Sequence, residues 1–84
     1  MDGFLPPKPR NVDGKLRDAE DLGAIIRKRR RELGITQVQL AKSCRCSPRF
    51  IGELERGVAG GNIKQVLAVC RELGIDLYAK VRGA

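Results

Sequence analysis

Apolar residues recur at helical spacing in four stretches of the chain. In the first stretch, Leu22, Ile25, Ile26 and Leu33 fall three, four or seven positions apart, so that they share a helix face. Comparable runs follow at 38–41, 50–54 and 63–73. The spacing predicts four helices that turn their apolar faces towards one core, and therefore a compact all-α domain.

Residues that favour helix ends bracket these runs. Four candidate N-caps share a side-chain oxygen that can accept a backbone N–H: Asp18, Thr36, Ser47 and Asn62. Thr36 is followed three residues later by Gln39, the pattern of a capping box, and Ser47 is followed by Pro48 at a first helical position. Glycines at 34, 57 and 74 end three of the runs. The prediction is a long first helix from about Asp18, short helices at 37–43 and 48–56, and a fourth helix up to 73.

The two ends of the chain differ from this helical middle. Residues 1–17 hold three of the four prolines with scattered charge, which predicts a flexible arm. Residues 75–81 alternate with period two, which predicts a β-strand. A strand needs a partner, and the same strand of a second copy is favoured because the arm lacks strand character. The predicted organisation is an arm at 1–17, a helical domain at 18–74 and a dimerisation segment at 75–84, with contacts from Ile75, Leu77, Ala79 and Val81.

Composition narrows the partners and excludes most catalysis. The 84 residues include 17 Lys or Arg and 10 Asp or Glu, for a net charge of +7, which favours nucleic acid over an anionic membrane. The chain has no His and no recognisable triad or phosphate-binding loop, so we expect no enzyme activity and no cofactor. Three cysteines predict no disulfide framework, and Cys44 and Cys46 lack the further ligands of a metal site. No apolar run approaches a membrane span or a signal core, so we expect a cytosolic protein.

The two short helices and their flanks carry a recognisable motif. Its residues are Ile25-Ile26-Arg27-x-x-Arg30-x-x-Leu33-Gly34-Ile35-Thr36-Gln37, then Leu40-Ala41, Ser47, Ile51 and Leu54-Glu55-Arg56-Gly57. With this motif the chain resembles the Cro/repressor-type (Xre-like) helix-turn-helix domains over residues 22–74. The strand-like extension after Gly74 is most similar to antitoxins of the HipB type, and this resemblance implies a strand that pairs across a homodimer.

The start of the third helix is the predicted base reader. In a helix-turn-helix, the first residues of the second of its two helices face base edges in the major groove. Arg49 is the strongest candidate, because a guanidinium can bind guanine O6 and N7 together. Glu53 has two open interpretations, acceptance from cytosine N4 or an exposed helix charge. The predicted base-contacting residues are Ser47, Pro48, Arg49, Gly52, Glu53 and Gln37.

The resemblance also implies phosphate contacts and a structural ion pair. The expected phosphate contacts are Thr36, Arg56, Asn62 and Lys64. Thr36 can equally serve as a cap, and Arg56 can equally complement the C-terminus of its own helix. Arg30 and Glu55 match positions that form a partly buried salt bridge. The basic cluster Arg27, Lys28, Arg29 and Arg31 is expected on an exposed face, where it steers DNA encounter.

Arg45 departs from the family pattern, because a glycine usually occupies this position between the two helices. A left-handed backbone at a non-glycine residue costs about 1–2 kcal/mol. Two outcomes are open, a rearranged turn or a tolerated strain.

The leading hypothesis is a dimeric, sequence-specific repressor on a palindromic operator in double-stranded DNA, with recognition helices about 34 Å apart. It predicts an antitoxin that represses its own operon and binds a toxin protein. The alternatives are a protein-interaction adaptor and a phage- or restriction-type regulator without a toxin. RNA binding is disfavoured because no aromatic platform for stacking bases exists. Membrane binding is disfavoured because the apolar face of the basic first helix is needed for the core.

Overall fold

The fold contains the four predicted helices. A computed structural model describes residues 14–60 and 62–83, in which α1 spans Ala19–Glu32, α2 spans Gln37–Cys44, α3 spans Pro48–Arg56 and α4 spans Ile63–Glu72. The prediction of a four-helix arrangement is therefore confirmed. Most of the predicted arm, residues 1–13, lies outside the described residues.

Local chemistry sets where each helix begins. The side chains of all four predicted N-caps accept a hydrogen bond from the backbone N–H three residues later. Thr36 and Gln39 form the full capping box: Gln39 N donates to Thr36 Oγ1 at 3.0 Å, and Thr36 N donates to Gln39 Oε1 at 2.8 Å. These bonds satisfy amides that have no partner within their helix, so the boundaries follow from the sequence.

The helices share one core. Helix α3 packs against both α1 and α2, and α2 also packs against α4. Four apolar residues that periodicity assigned to this core are exposed instead: Leu33 at 44%, Val38 at 52%, Ile63 at 64% and Leu67 at 36%. Leu33 follows the last residue of α1 and Ile63 is the first residue of α4, and helix ends reach beyond the packed region. The buried apolar residues are Ile26, Leu40, Ala41, Ile51, Leu54, Val69, Cys70 and Leu73.

Helix α1 lies against α3 at backbone contact distance. A Cβ atom at the buried Gly23 would lie 2.5 Å from the carbonyl oxygen of Glu55 and 2.8 Å from its carbonyl carbon. A Cβ at Gly57 would lie 2.6 Å from Cγ of Glu20. The apolar pattern of the sequence does not reveal the role of Gly23, although a glycine within a helix costs about 1 kcal/mol and so signals a packing requirement. The two glycines set how closely α1 approaches α3.

The C-terminal segment has no regular secondary structure in a single copy of the chain. Among residues 14–60 and 62–83 there is no β-strand, and Ile75 N donates to Cys70 O at 2.8 Å. Ile75 and Leu77 pack, partly buried, against the core of their own chain, whereas Tyr78 is 90% exposed. A strand exists only when its backbone pairs with another, so the strand at 75–81 stays a prediction that needs a second copy.

None of the helices described combines the length and the apolar character that a bilayer span requires.

We expect Gly23→Ala to destabilise the domain by about 1–3 kcal/mol, because its methyl group would force α1 away from α3. Chemical denaturation of both proteins measures the difference. Gly60→Ala is the matched control: its Cβ would meet nothing within 4 Å and its backbone needs no left-handed conformation. Equal stability of Gly23→Ala and the parent protein would contradict the close crossing.

Candidate nucleic-acid interface

The starts of α2 and α3 present polar and basic groups on the surface. Thr36, Ser47, Pro48 and Arg49 are exposed, and Gln37 is half-buried. Neither helix has an acidic residue in its first turn, so no carboxylate there offsets the positive end of either helix dipole. The backbone amides at these two ends that do not already donate to a cap side chain can therefore donate to an anion such as phosphate.

A buried carboxylate connects three elements behind this surface. Arg30 Nε donates to Glu55 Oε2 at 2.6 Å, and Arg30 Nη2 donates to Glu55 Oε1 at 3.2 Å. Gln37 Nε2 donates to the same Oε1 at 3.0 Å, and Arg30 Nη1 donates to the carbonyl oxygen of Ile35 at 2.8 Å. The side chain of Arg30 is 11% exposed and that of Glu55 is 3% exposed. Gln37, a predicted DNA contact, is thus held by the ion pair of Arg30 and Glu55.

The hydrogen bond with Glu55 raises the pKa of Arg30 above its ordinary value, and the charge of Glu55 acts in the same direction. Burial lowers the pKa and offsets part of this effect. Arg30 therefore stays charged at any physiological pH, and the bridge is a permanent part of the domain.

Arg49 and Glu53, one turn apart on the surface of α3, form a second ion pair. Arg49 Nε donates to Glu53 Oε2 at 3.0 Å. The side chain of Arg49 is 86% exposed and that of Glu53 is 30% exposed. Ser47 and Pro48 lie exposed at the same end of the helix, so four of the six predicted base contacts are surface residues of α3 or its cap.

Gly52 does not lie on this surface. It is buried, and a Cβ there would meet Arg56 Nη1 at 3.4 Å and Gln37 Oε1 at 3.7 Å. A base contact at Gly52, as predicted, does not fit its burial. Adjacent residues of a helix point about 100° apart, so Gly52 faces α2 although its neighbour Glu53 does not. The absent side chain at Gly52 instead leaves room for Gln37 to cross α3.

The predicted phosphate contacts are all exposed: Thr36, Arg56, Asn62 and Lys64. Thr36 Oγ1 and Asn62 Oδ1 each accept a backbone N–H as caps. A hydroxyl or an amide that accepts one bond can still donate another, so the capping role and a phosphate contact are compatible at both residues.

The predicted basic cluster on α1 lies largely on the surface. Arg27, Lys28 and Arg31 are exposed. Arg29, by contrast, donates from Nε to the carbonyl oxygen of Leu73 at 2.9 Å, and its Nη1 lies 3.6 Å from Glu32 Oε1. The Arg29 side chain is 42% exposed, as expected of this face, but it is not simply solvated, because it also joins α1 to the end of α4.

A buried acid at the start of α1 was missed from the sequence. Asp21 is fully buried and accepts hydrogen bonds from the backbone N–H of Arg17 at 2.8 Å and from its Nε at 3.1 Å. The two residues are four apart, which is the spacing of a helical ion pair and was the available signal. Arg17, which composition placed in the arm, thus contacts the helical domain.

The turn between α2 and α3 keeps the left-handed form at Arg45. This residue has φ 56° and ψ 45°, and Cys46 N donates to Ala41 O at 3.0 Å across the turn. Of the two expected outcomes, a rearranged turn is wrong and the strained conformation is the one adopted. Its cost of about 1–2 kcal/mol is met by the packing of α2 and α3 on either side.

The cysteines are suited to packing rather than to chemistry. Burial raises the pKa of Cys44 to about 11, with further contributions from Cys46 and Glu72. Burial also raises the pKa of Cys46 and Cys70. A thiol that stays protonated at neutral pH is a poor nucleophile and a poor metal ligand. In the part of the chain that the structure describes, no three His, Cys, Asp or Glu side chains are placed to hold a metal ion.

Comparison with known proteins also identifies a helix-turn-helix domain. The helix-turn-helix family model matches residues 26–79. Two crystal structures of the clp gene regulator ClgR from Corynebacterium glutamicum are 38% and 35% identical to the chain, with TM-scores of 0.62 and 0.64. These alignments cover 68% and 74% of this chain, and 61% and 80% of the ClgR chains. A search of curated protein sequences finds no match.

A structure of a HipB variant in complex with an O2 20mer is 18% identical, with a TM-score of 0.71. That alignment covers 81% of this chain and 94% of the HipB chain, and at this identity it shows a common fold. Helices, motif and family model together define a small helix-turn-helix protein. The chain belongs to the helix-turn-helix family, which confirms the helix-turn-helix resemblance read from the sequence, and it shares its fold with HipB.

We expect Arg30→Ala to lower the free energy of unfolding by about 3–5 kcal/mol, because it leaves the Glu55 carboxylate buried without its cationic partner. Thermal or urea unfolding measures this loss. Arg31→Ala removes the same charge from an exposed position of the same helix and should change stability by less than about 0.5 kcal/mol. If the Arg30→Ala protein unfolds at the same temperature as the parent protein, the ion pair does not contribute to stability as proposed.

Proposed function

We propose that the chain is a sequence-specific DNA-binding transcriptional repressor. The observation that carries the proposal is the exposed start of α3, where Arg49 is 86% exposed, beside the start of α2. In a helix-turn-helix the second of these helices reads base edges while the first rests against phosphate. The buried bridge of Arg30 and Glu55, through Gln37, supports both helices in the relative position that such a contact needs.

The placement of charge supports duplex DNA as the partner. Exposed cations that form no ion pair within residues 14–60 and 62–83 include Arg27, Lys28, Arg31, Arg56 and Lys64. Phosphates attract such side chains over several ångströms and release counterions when they bind, so affinity falls steeply as salt rises. The description of ClgR as a gene regulator is consistent with this role.

We further propose a homodimer that binds a palindromic operator. The support is the period-two pattern at 75–81, whose backbone has no strand partner in its own chain among the described residues. Of the four predicted dimer contacts, Ile75 and Leu77 pack against their own core, so main-chain pairing with Ala79 and Val81 would carry the interface. Two-fold symmetry would place the recognition helices about 34 Å apart on one side of the duplex.

The finer assignment is the antitoxin of a toxin–antitoxin pair that represses its own operon. Its support is the resemblance to HipB-type antitoxins, including the C-terminal extension. A toxin protein would be the second partner. The exposed surface of α1 is one candidate for the contact with that toxin.

We expect selection from random duplex DNA to recover a palindromic consensus, bound with a steep salt dependence. Arg49→Ala should reduce discrimination at a guanine in each half-site by about 1–3 kcal/mol, because it removes a bidentate contact. Arg71→Ala removes the same charge from the exposed surface of α4 and should weaken all duplexes alike.

A consensus that recurs upstream of the chain's own gene would support autoregulation. If the consensus does not occur there, the proposal of autoregulation is wrong. If the selection recovers no consensus at low or at high salt, the result would contradict the repressor and favour the protein-interaction adaptor.

We expect deletion of residues 78–84 to convert a dimer into a monomer, because it removes most of the predicted strand while Leu77 stays in the core. Sedimentation velocity distinguishes the two species. Deletion of 82–84 is the matched control, since those residues follow the predicted strand. A truncated protein that remains dimeric would show that the dimer does not depend on strand pairing.

A further inference from the structure

The ion pair of Arg49 and Glu53 is not accounted for by the stability of α3. Arg49 is the second residue of the helix, where the positive end of the helix dipole disfavours a cation. An arginine placed four residues before a glutamate is also the less favourable order for such a pair. With Arg49 86% exposed, water screens most of the attraction between the two charges.

The geometry of the pair suits a guanidinium prepared for a base. Glu53 Oε2 accepts from Nε of Arg49, the nitrogen nearest the aliphatic stem. The planar guanidinium also carries Nη1 and Nη2, the nitrogens that bind guanine O6 and N7. Within residues 14–60 and 62–83, the side chain of Arg49 makes no other hydrogen bond, so both terminal nitrogens are available. Glu53 is the more buried partner at 30% exposure and can anchor the longer, exposed side chain.

We propose that Glu53 is a positioning residue for base recognition: it holds Arg49 with the terminal nitrogens of its guanidinium directed at guanine. This inference rests on the proposed function of sequence-specific DNA binding. It replaces both sequence-based interpretations of Glu53, since the carboxylate neither reads cytosine itself nor stands as an idle surface charge. Arginine loses much rotamer freedom when it binds, and a partner that restrains it beforehand reduces that loss.

The test measures binding to the selected duplex and to duplexes in which the half-site guanine is replaced by each other base. The proteins are the full chain, E53A, E53Q, R49A and the double variant R49A/E53A, at one salt concentration. Glu32→Ala is the matched control, because it removes a carboxylate from another exposed ion pair and raises the net charge equally. Thermal unfolding is recorded in parallel for every protein.

We expect the full chain to prefer guanine by about tenfold or more. E53A should lose most of that preference without a loss of thermal stability. The double variant should match R49A, because two residues that act as a unit are not additive. E53Q should retain the preference, since its amide oxygen still accepts from Nε. Glu32→Ala should leave the preference unchanged.

Three results would overturn the positioning role of Glu53 while the proposed function stands. These are an E53A protein that keeps the guanine preference, a changed preference at a different base pair in E53A, and independent losses in the double variant. If the full chain itself selects no duplex, the proposed function fails and the inference fails with it.

Discussion

The buried carboxylate of Glu55 is the interaction on which the rest of the domain depends. A carboxylate that is 3% exposed is costly unless it is paired and fully hydrogen-bonded, and here it receives bonds from Arg30 and Gln37. Its backbone carbonyl lies where Gly23 allows α1 to touch α3. One residue of α3 therefore binds α1 through both main chain and side chain, and binds the start of α2 as well.

This arrangement links stability to the geometry of the proposed DNA-binding surface. Gln37 crosses α3 at Gly52 to reach Glu55, so a hydrogen bond joins the first turn of α2 to the last turn of α3. The left-handed Arg45 closes the turn between the same two helices. The start of α2 and the start of α3 are therefore held in a fixed relative position. A ligand that contacts both does not have to order these two helix ends when it binds. Preorganisation of this kind lowers the entropy lost on binding.

The features that could be predicted from the sequence are those set by neighbours along the chain. Caps at Thr36 and Ser47 and the helix spacing depend on residues three or four positions apart, so the four helices followed directly. The features that were missed depend on which helix lies opposite. Nothing local distinguishes Gly52, covered by Gln37, from Glu53, which is partly exposed, and nothing local shows that Arg29 reaches Leu73 O. The predicted strand at 75–81 cannot be tested in a single folded chain, because a strand there needs the backbone of another molecule as its partner.

The distribution of charge separates attraction from recognition. The net charge of +7 is a sum over cations that differ in their surroundings: some are paired inside the domain and others are exposed. Arg30 is neutralised inside the domain by Glu55, and Arg29 is occupied by Leu73 O. Exposed cations such as Arg27 and Arg31 can attract a polyanion at a distance, but no ion pair within the described residues orients them. Arg49 is oriented by Glu53, and the same carboxylate weakens the attraction of α3 for phosphate. If α3 reads bases as proposed, it gives up some affinity for any DNA and keeps a side chain in position to distinguish one sequence from another.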